Sequence, residues 1–250
     1  MTAIGLASGS ECLQVEGLET LMAERKSGDR TPQRQRERLS PHVAKQLREM
    51  IITGQLRGGE RLRAEHLADD LGVSATPVRE ALMSMTGEGM VDFQPGRGFR
   101  VVPLTRRDVL DVYDMQAYVS GKLAELAVPN LTEDDIETLD NYQEKLVGAV
   151  AANDAELIEA MDFETHRLIN RAAGAPKLAW MLGLTLRYVP FGAHAEVPGW
   201  PLAARDDHVS IMRALKMRSP VAARDFMQAH IHHAGDLLVG MLAERGVLED

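Results

Sequence analysis

A single cysteine, Cys12, stands in 250 residues, no apolar run approaches the length that spans a bilayer, and no basic-then-apolar leader opens the chain. A lone thiol closes no disulfide within its own chain and argues against a cysteine-based metal site, which fits a reducing compartment. These absences point to a cytoplasmic protein with no membrane partner. An excess of basic charge is also missing, since 37 acidic residues face 28 basic ones for a net charge of −9. The distribution matters more than that sum. Residues 1–40 hold six charges of each sign and residues 41–104 eight of each, so the acidity falls on residues 105–250, with 14 basic against 23 acidic. A neutral region that gathers its cations on one face can approach phosphates, while an acidic neighbour is held off them.

What is present is organised around residues 61–102. Leu62, His66, Leu67 and Leu71 give one apolar face at helical spacing, and Val78, Ala81, Leu82 and Met85 give the next. Gly72 between them can take the positive φ that stops the first helix abruptly, and Ser74 or Thr76 can cap the second, with Pro77 tolerated in its first turn. After this helix-turn-helix come two β-prone runs, Met90-Val91-Asp92-Phe93-Gln94 and Phe99-Arg100-Val101-Val102, joined by Pro95-Gly96-Arg97-Gly98. The unit reads as a winged helix-turn-helix with Arg97 at the wing tip. A helix N-terminus suits phosphates, and an Arg on such a helix can read guanine with two hydrogen bonds in the major groove. Ser74, Thr76, Arg79, Gly96 and Arg97 are therefore the candidate DNA-binding residues, with Arg79 assigned to the base contact. The structural alternative for Arg79 is a pair with Glu80 or Glu88.

Residues 43–104 resemble the GntR family of bacterial transcription regulators. The resemblance is carried by Ile52-Thr53-Gly54-Gln55-Leu56, Gly58-Gly59-Glu60-Arg61-Leu62, Leu67-Ala68-Asp69-Asp70-Leu71-Gly72-Val73-Ser74, Thr76-Pro77-Val78-Arg79-Glu80-Ala81-Leu82 and the wing Gly96-Arg97-Gly98. It implies binding to double-stranded DNA. Ala75 and His66 depart from it, since the family commonly has basic residues there, and both departures remove contacts from the expected interface.

Upstream, residues 1–39 read as a flexible extension, apart from a short helix through Leu13, Leu18, Leu21 and Met22. Arg30, Arg34, Arg36 and Arg38 form a basic segment read as a solvated linker rather than a DNA-contacting arm. The first helix of the DNA-binding domain, residues 40–104, is expected to start at Ser40-Pro41 and run to Thr53 through Val43, Leu47, Met50 and Ile51.

From Thr105 the pattern becomes helical throughout. Caps at Thr105, Thr132, Asn153, Pro176 and Ser219-Pro220, with a helix over residues 202–218, predict six antiparallel helices in residues 105–250. The predicted fold class is mainly α: an N-terminal winged helix-turn-helix followed by a C-terminal six-helix bundle. Several side chains break the bundle's own rule. Asp162 and His166 share the inner face of the third helix, one turn apart, while His208 falls on the inner face of the fifth and His230 on that of the sixth. Three histidines and a carboxylate facing one interior are costly to bury unless they satisfy one another, and a divalent metal does so economically. The alternatives are hydrogen-bonded core histidines and an Asp162 paired with Arg187. His233 stays an outside candidate ligand, while His42 and His194 read as surface groups.

Residues 108–245 resemble the FCD ligand-binding domain of the FadR subfamily, closer to its VanR-like branch, with Asp162, His166, His208 and His230 at that domain's ligand positions. The resemblance implies zinc first, or nickel or manganese, in an effector cavity where a small carboxylate metabolite completes the shell. Gln116 and Ser120 stand where many members carry Arg and Glu, so Gln116, Asn170 and Arg187 become the candidate effector contacts. The expected function is a ligand-responsive regulator, a repressor released by a small carboxylate, acting as a homodimer on a palindromic operator. Its alternatives are a DNA-binding regulator with a purely structural metal and no effector, or a metal-dependent hydrolase. For the last, Glu164, the nearby candidate base, lies off the ligand face, so no enzymatic activity is expected.

Overall fold

The computed structural model describes residues 32–188 and 194–249. The helix expected over residues 13–22, together with Cys12 and Arg30, lies outside them. In chain order the elements are α1 (Pro32–Ile52), β1 (Arg61–Leu62), α2 (Ala64–Leu71), α3 (Ala75–Thr86), β2 (Val91–Gln94), β3 (Gly98–Val101), α4 (Arg106–Ala127), α5 (Glu133–Ala152), α6 (Ala155–Ala172), α7 (Pro176–Thr185), α8 (Trp200–Lys216) and α9 (Pro220–Glu244). Two 3-10 turns, Leu186–Tyr188 and His194–Glu196, lie between α7 and α8.

The N-terminal part forms because α1, α2 and α3 each present one apolar face to a shared core, which includes Val43, Leu47, Leu67, Val78, Leu82 and Met85. Gly72 ends α2 at φ 65°, and the following Val73 N–H reaches back to Ala68 O at 3.0 Å. That left-handed turn, which Gly adopts without a Cβ penalty, sets α3 across α2. β1, β3 and β2 make an antiparallel sheet in that order, with Leu62 opposite Phe99 and Phe93 opposite Phe99 on its other side.

Three expectations change here. α1 begins at Pro32 rather than Ser40, carrying Arg34, Arg36 and Arg38 into a helix instead of a linker. The run Gln33-Arg34-Gln35-Arg36-Glu37-Arg38 consists of good helix formers, and the helix continues through Pro41 in spite of its missing N–H and the crowding of its ring. Leu62 belongs to β1, because Arg63 is extended at φ −103° and the helix starts only at Ala64. α2 therefore buries Ala64, Leu67 and Ala68, while His66 is exposed. Finally, Ser74 occupies the N-cap position of α3 but makes no side-chain capping bond, and Thr76 lies within the helix.

The C-terminal part holds the six expected helices, α4 to α9. Thr105 with Asp108 and Thr132 with Asp135 form reciprocal capping boxes at the starts of α4 and α5. Asp154, not Asn153, caps α6 through Leu157 N–H at 3.1 Å, because Asn153 has already taken φ 54° to end α5. α4 packs along α9 and also touches α6 and α7. One core layer gathers Leu123, Leu139, Ile169, Leu215 and Met227, and a second gathers Tyr113, Leu146, Trp200, Leu238 and Leu242. Burial of each such Leu contributes about 1.5–3 kcal/mol relative to exposure. Among the described residues no helix is long and apolar enough to cross a membrane.

The two parts meet along a seam. Glu249 N–H donates to Leu104 O at 2.9 Å, and Tyr188 packs against the N-terminal core while donating its hydroxyl to Glu88 O. The Glu88 carboxylate, 3% exposed, follows the end of α3 and accepts from Arg48 of α1 at 2.7 and 3.1 Å and from Arg187 at 3.0 Å.

Candidate functional site

Two regions carry chemistry. On the N-terminal head, packing uses Val78, Ala81, Leu82 and Met85, so the remaining face of α3 is left to solvent. Ser74, Thr76 and Arg79 are exposed on that face near the helix start, and Gly96 and Arg97 are exposed at the wing tip. Gly96 has φ 76°, and Arg97 N–H closes the turn on Gln94 O at 2.9 Å. The arrangement offers a helix N-terminus and a cationic hairpin tip, which suit a phosphate-lined groove. Arg79 pairs with neither Glu80 nor Glu88. Its guanidinium meets Glu65 on α2 instead, and both side chains stay about 60% exposed. The Glu65 carboxyl lies below its ordinary range, through a backbone hydrogen bond in the first turn of α2 and then through the Arg79 charge.

In the C-terminal bundle, helix periodicity aims four side chains at one point. Asp162 and His166 come from α6, His208 from α8 and His230 from α9, and one donor atom from each lies within 4.8 Å of all the others. Asp162 Oδ1 is 3.3 Å from His208 Nε2, 3.6 Å from His166 Nε2 and 4.0 Å from His230 Nε2, and the Nε2 atoms of His166 and His230 are 3.2 Å apart. Donors about 2.1 Å from one metal stand about 3.0 Å apart at right angles and about 3.4 Å apart in a tetrahedron, so the spacings of 3.2, 3.3 and 3.6 Å are close to those of a coordination shell and the 4.0 Å one is wider. Asp162 Oδ1 and both ring nitrogens of His208 are buried without a hydrogen-bond partner. Such orphans are costly in an interior, and a divalent cation would satisfy Asp162 Oδ1 and the inward nitrogen of His208 together. The residues present therefore fit a metal.

Electrostatics agree with geometry. Burial opposes the Asp162 charge, but His166 and His208, 3.6 and 3.3 Å from Oδ1, outweigh it and hold the carboxyl well below its usual range. Burial pushes His230 down to about 4, so it stays neutral and can donate a lone pair. His230 Nδ1 and His233 Nδ1 face Asp207 Oδ2 at 3.3 and 3.0 Å. The Asp207 carboxylate thereby orients the His230 ring with its Nε2 inward, as outer carboxylates do for metal-binding histidines. His233 is turned outward and is absent from the donor set.

Three sequence expectations meet a different arrangement. Arg187 faces Glu88 rather than Asp162 or an effector, because the 3-10 turn after α7 carries it to the seam, where a nearly buried carboxylate requires cations. Gln116 is buried, with its amide donating to Thr185 O at 3.0 Å. Asn170 remains half-buried on α6, one turn beyond His166. His194 is not a surface group. Its ring stacks on Trp200 at 4.7 Å and 6°, and burial drives it down to about 4, with Asp162 and His166 close enough to act on it electrostatically. The neighbouring Ala195 N–H donates to Glu159 on α6 at 3.0 Å. Sequence reasoning also passed over Asp207, although its position beside His208 on α8 was a usable sign.

Residues 39–101 match the family described as bacterial regulatory proteins, gntR family, and residues 111–233 match the FCD domain. The chain is similar to the HTH-type transcriptional regulator YdhC of Bacillus subtilis (strain 168), 26% identical over 80% of this chain and 90% of that protein. It is similar also to the probable D-xylose utilization operon transcriptional repressor of Paenarthrobacter nicotinovorans, 27% identical over 76% and 85%. Among solved structures it superposes on E. coli McbR/YncC with a TM-score of 0.61 at 26% identity, covering 80% of this chain and 96% of that one.

Proposed function

The chain belongs to the GntR family of DNA-binding transcription regulators and carries an FCD domain, and from that premise we propose that it is a metal-dependent, carboxylate-responsive repressor acting as a homodimer in the cytoplasm. The family and the relatives are regulators, not enzymes. The observation that carries the reading is the convergence of Asp162, His166, His208 and His230 at coordination spacing inside the bundle.

Asp162, His166, His208 and His230 would hold the ion, zinc or otherwise nickel or manganese. When bound, a divalent metal supplies a positive centre with a free position that a carboxylate can fill. The protein's own groups do the rest. Asp207 fixes the His230 ring, and Asn170 offers an amide one turn from His166. Leu186–Tyr188 ties the bundle to the end of α3 through Arg187 and Glu88. A ligand that favours one packing of α6 and its neighbours would then bias the orientation of two reading heads, and so their fit to a palindromic operator. Ser74, Thr76, Arg79, Gly96 and Arg97 would make the DNA contacts.

The test measures metal content of the purified chain by mass spectrometry beside Asp162→Ala and His208→Ala, then operator binding by fluorescence anisotropy with and without carboxylic acids. One metal per chain, lost in both variants, with acid-dependent release of DNA, is the expected result. Metal retained with no acid changing DNA affinity would leave a structural ion and no effector. A metal-free wild type that cannot be reloaded would refute the coordination reading.

A further inference from the structure

The bundle contains almost no means of holding a second negative charge. Among the described residues its buried polar side chains are Gln116, Ser120, Thr165, His208 and His230, with no Lys or Arg. All fourteen Lys and Arg of residues 105–250 lie in the described part of the chain, and none is buried. Eleven are exposed. The three half-buried ones are already paired, Lys122 with Glu125 at 2.9 Å, Arg205 with Asp206 at 2.7 Å and Arg224 with Asp225 at 2.8 Å. Arg187, the one cation expected among the effector contacts, serves Glu88. The carboxylates against the donor histidines are Asp162 itself and Asp207, which faces the outer nitrogen of His230.

Resting on the reading of the bundle as a metal-centred carboxylate site, we infer that its effector is a monocarboxylate whose remainder is uncharged, and that di- and tricarboxylates are rejected. A divalent ion less the Asp162 charge leaves one positive charge, enough for one carboxylate. A second ionised carboxylate inside the bundle would find no buried cation among the described residues, a burial that is heavily penalised without a partner. Specificity here comes from a missing partner rather than from an added contact.

The experiment uses the full, zinc-loaded chain and two pairs of acids matched in carbon skeleton, butyrate against succinate and 2-hydroxybutyrate against malate, titrated calorimetrically at neutral pH. Metal content is measured in each sample afterwards, so that stripping of zinc by the diacid is not read as binding. The monoacid of each pair is expected to bind at least about tenfold more tightly than its diacid. Equal or tighter binding of the diacids would overturn this inference and leave the carboxylate reading standing. Failure of all four to bind a zinc-replete chain would overturn both. Asn170→Arg, which places a cation one turn from His166, is expected to narrow or reverse the preference without changing metal content. An unchanged preference in that folded, zinc-replete variant would refute the missing cation as its cause.

Discussion

Removing the Glu88 carboxylate should loosen the reading head in a way that distinguishes its two arginines. Arg48 holds it from within the head by two bonds, at 2.7 and 3.1 Å, and its own side chain is only 19% exposed. Arg187 holds it from the other domain by one bond at 3.0 Å and is 42% exposed. Breaking a buried pair by deleting one partner costs about 3–5 kcal/mol, while exposed pairs are worth about 0.2–1 kcal/mol. Partial exposure brings Glu88→Ala to about 2–4 kcal/mol, of which the coupling to Arg48 is about 1.5–3 and the coupling to Arg187 about 0.5–1. Hydrogen exchange of α3 amides reads this directly, since each 1.4 kcal/mol is about tenfold in protection. Glu88→Ala should therefore lose roughly 30- to 800-fold of α3 protection, and Arg187→Ala no more than about fivefold. A Glu88–Arg187 coupling as large as the Glu88–Arg48 coupling, measured in double-mutant cycles, would refute this division of roles. Unchanged α3 protection in Glu88→Ala would refute the clamp itself.

Chelation of the metal at a free concentration initially 100 times its Kd should cost about 2.7 kcal/mol, or about 5–11 °C in Tm for a chain of this size, with Asp162→Ala insensitive to the chelator in differential scanning fluorimetry. In the metal-free chain, His230 titrates near 4 when folded against 6.5 when unfolded. Its contribution is thus present above pH 6.5 and lost as pH falls toward 4, by up to about 3 kcal/mol. The lowered carboxyl of Asp162 adds a further loss below its ordinary value of 3.8. Urea midpoints that stay flat from pH 7 to 4 would contradict the His230 shift, and midpoints that stay flat below pH 4 the Asp162 one. On a duplex selected from a randomised library, Arg79→Ala and Arg97→Ala should each lower the slope of log affinity against log salt by about 1, with sequence preference relaxed only by Arg79→Ala. Glu65→Gln frees Arg79 from an exposed pair and should strengthen binding by no more than about fivefold in anisotropy titrations.

The convergence of Asp162, His166, His208 and His230 was legible in the sequence because they sit on long helices, where a period of 3.6 places Asp162 and His166 on one face and sets His208 and His230 among apolar neighbours. The helix-turn-helix was legible for a different reason, its turn chemistry at Gly72 and Pro77. Residues on short, irregular segments escaped. His194 and Arg187 lie in 3-10 turns that carry no periodicity, so sequence gave no direction for either side chain. The result was an inward His read as surface and a seam Arg read as an effector contact. Leu62 failed through degeneracy: four residues before His66 it fits a helix face, yet from β1 it fills the same core opposite Phe99. α1 ran past its expected start because Ser-Pro is a good helix opening only when the preceding residues resist the helix, and residues 33–38 do not.

The seam also decides how the two sites can communicate. Thr185 O accepts from Gln116 at the end of α7, Arg187 and Tyr188 hold the end of α3, and the 3-10 turn His194–Glu196 leans on α6, the helix that carries Asp162 and His166. The first contacts lie at Leu186–Tyr188 and its edge, against the head, and the last at His194–Glu196, against α6, so a change in α6 packing is expected to reach the head through this side of the bundle. Coupling of this kind is reciprocal: if an acid weakens operator affinity by some factor, the operator must weaken acid affinity by the same factor. Arg187→Ala cuts the seam without touching any of the residues proposed to hold the metal or to contact DNA. Both factors should therefore fall toward one together in that variant, while acid affinity in the absence of DNA and metal content stay as in the wild type. Two unchanged factors would mean that the head is steered through another contact, such as that between Leu104 and Glu249.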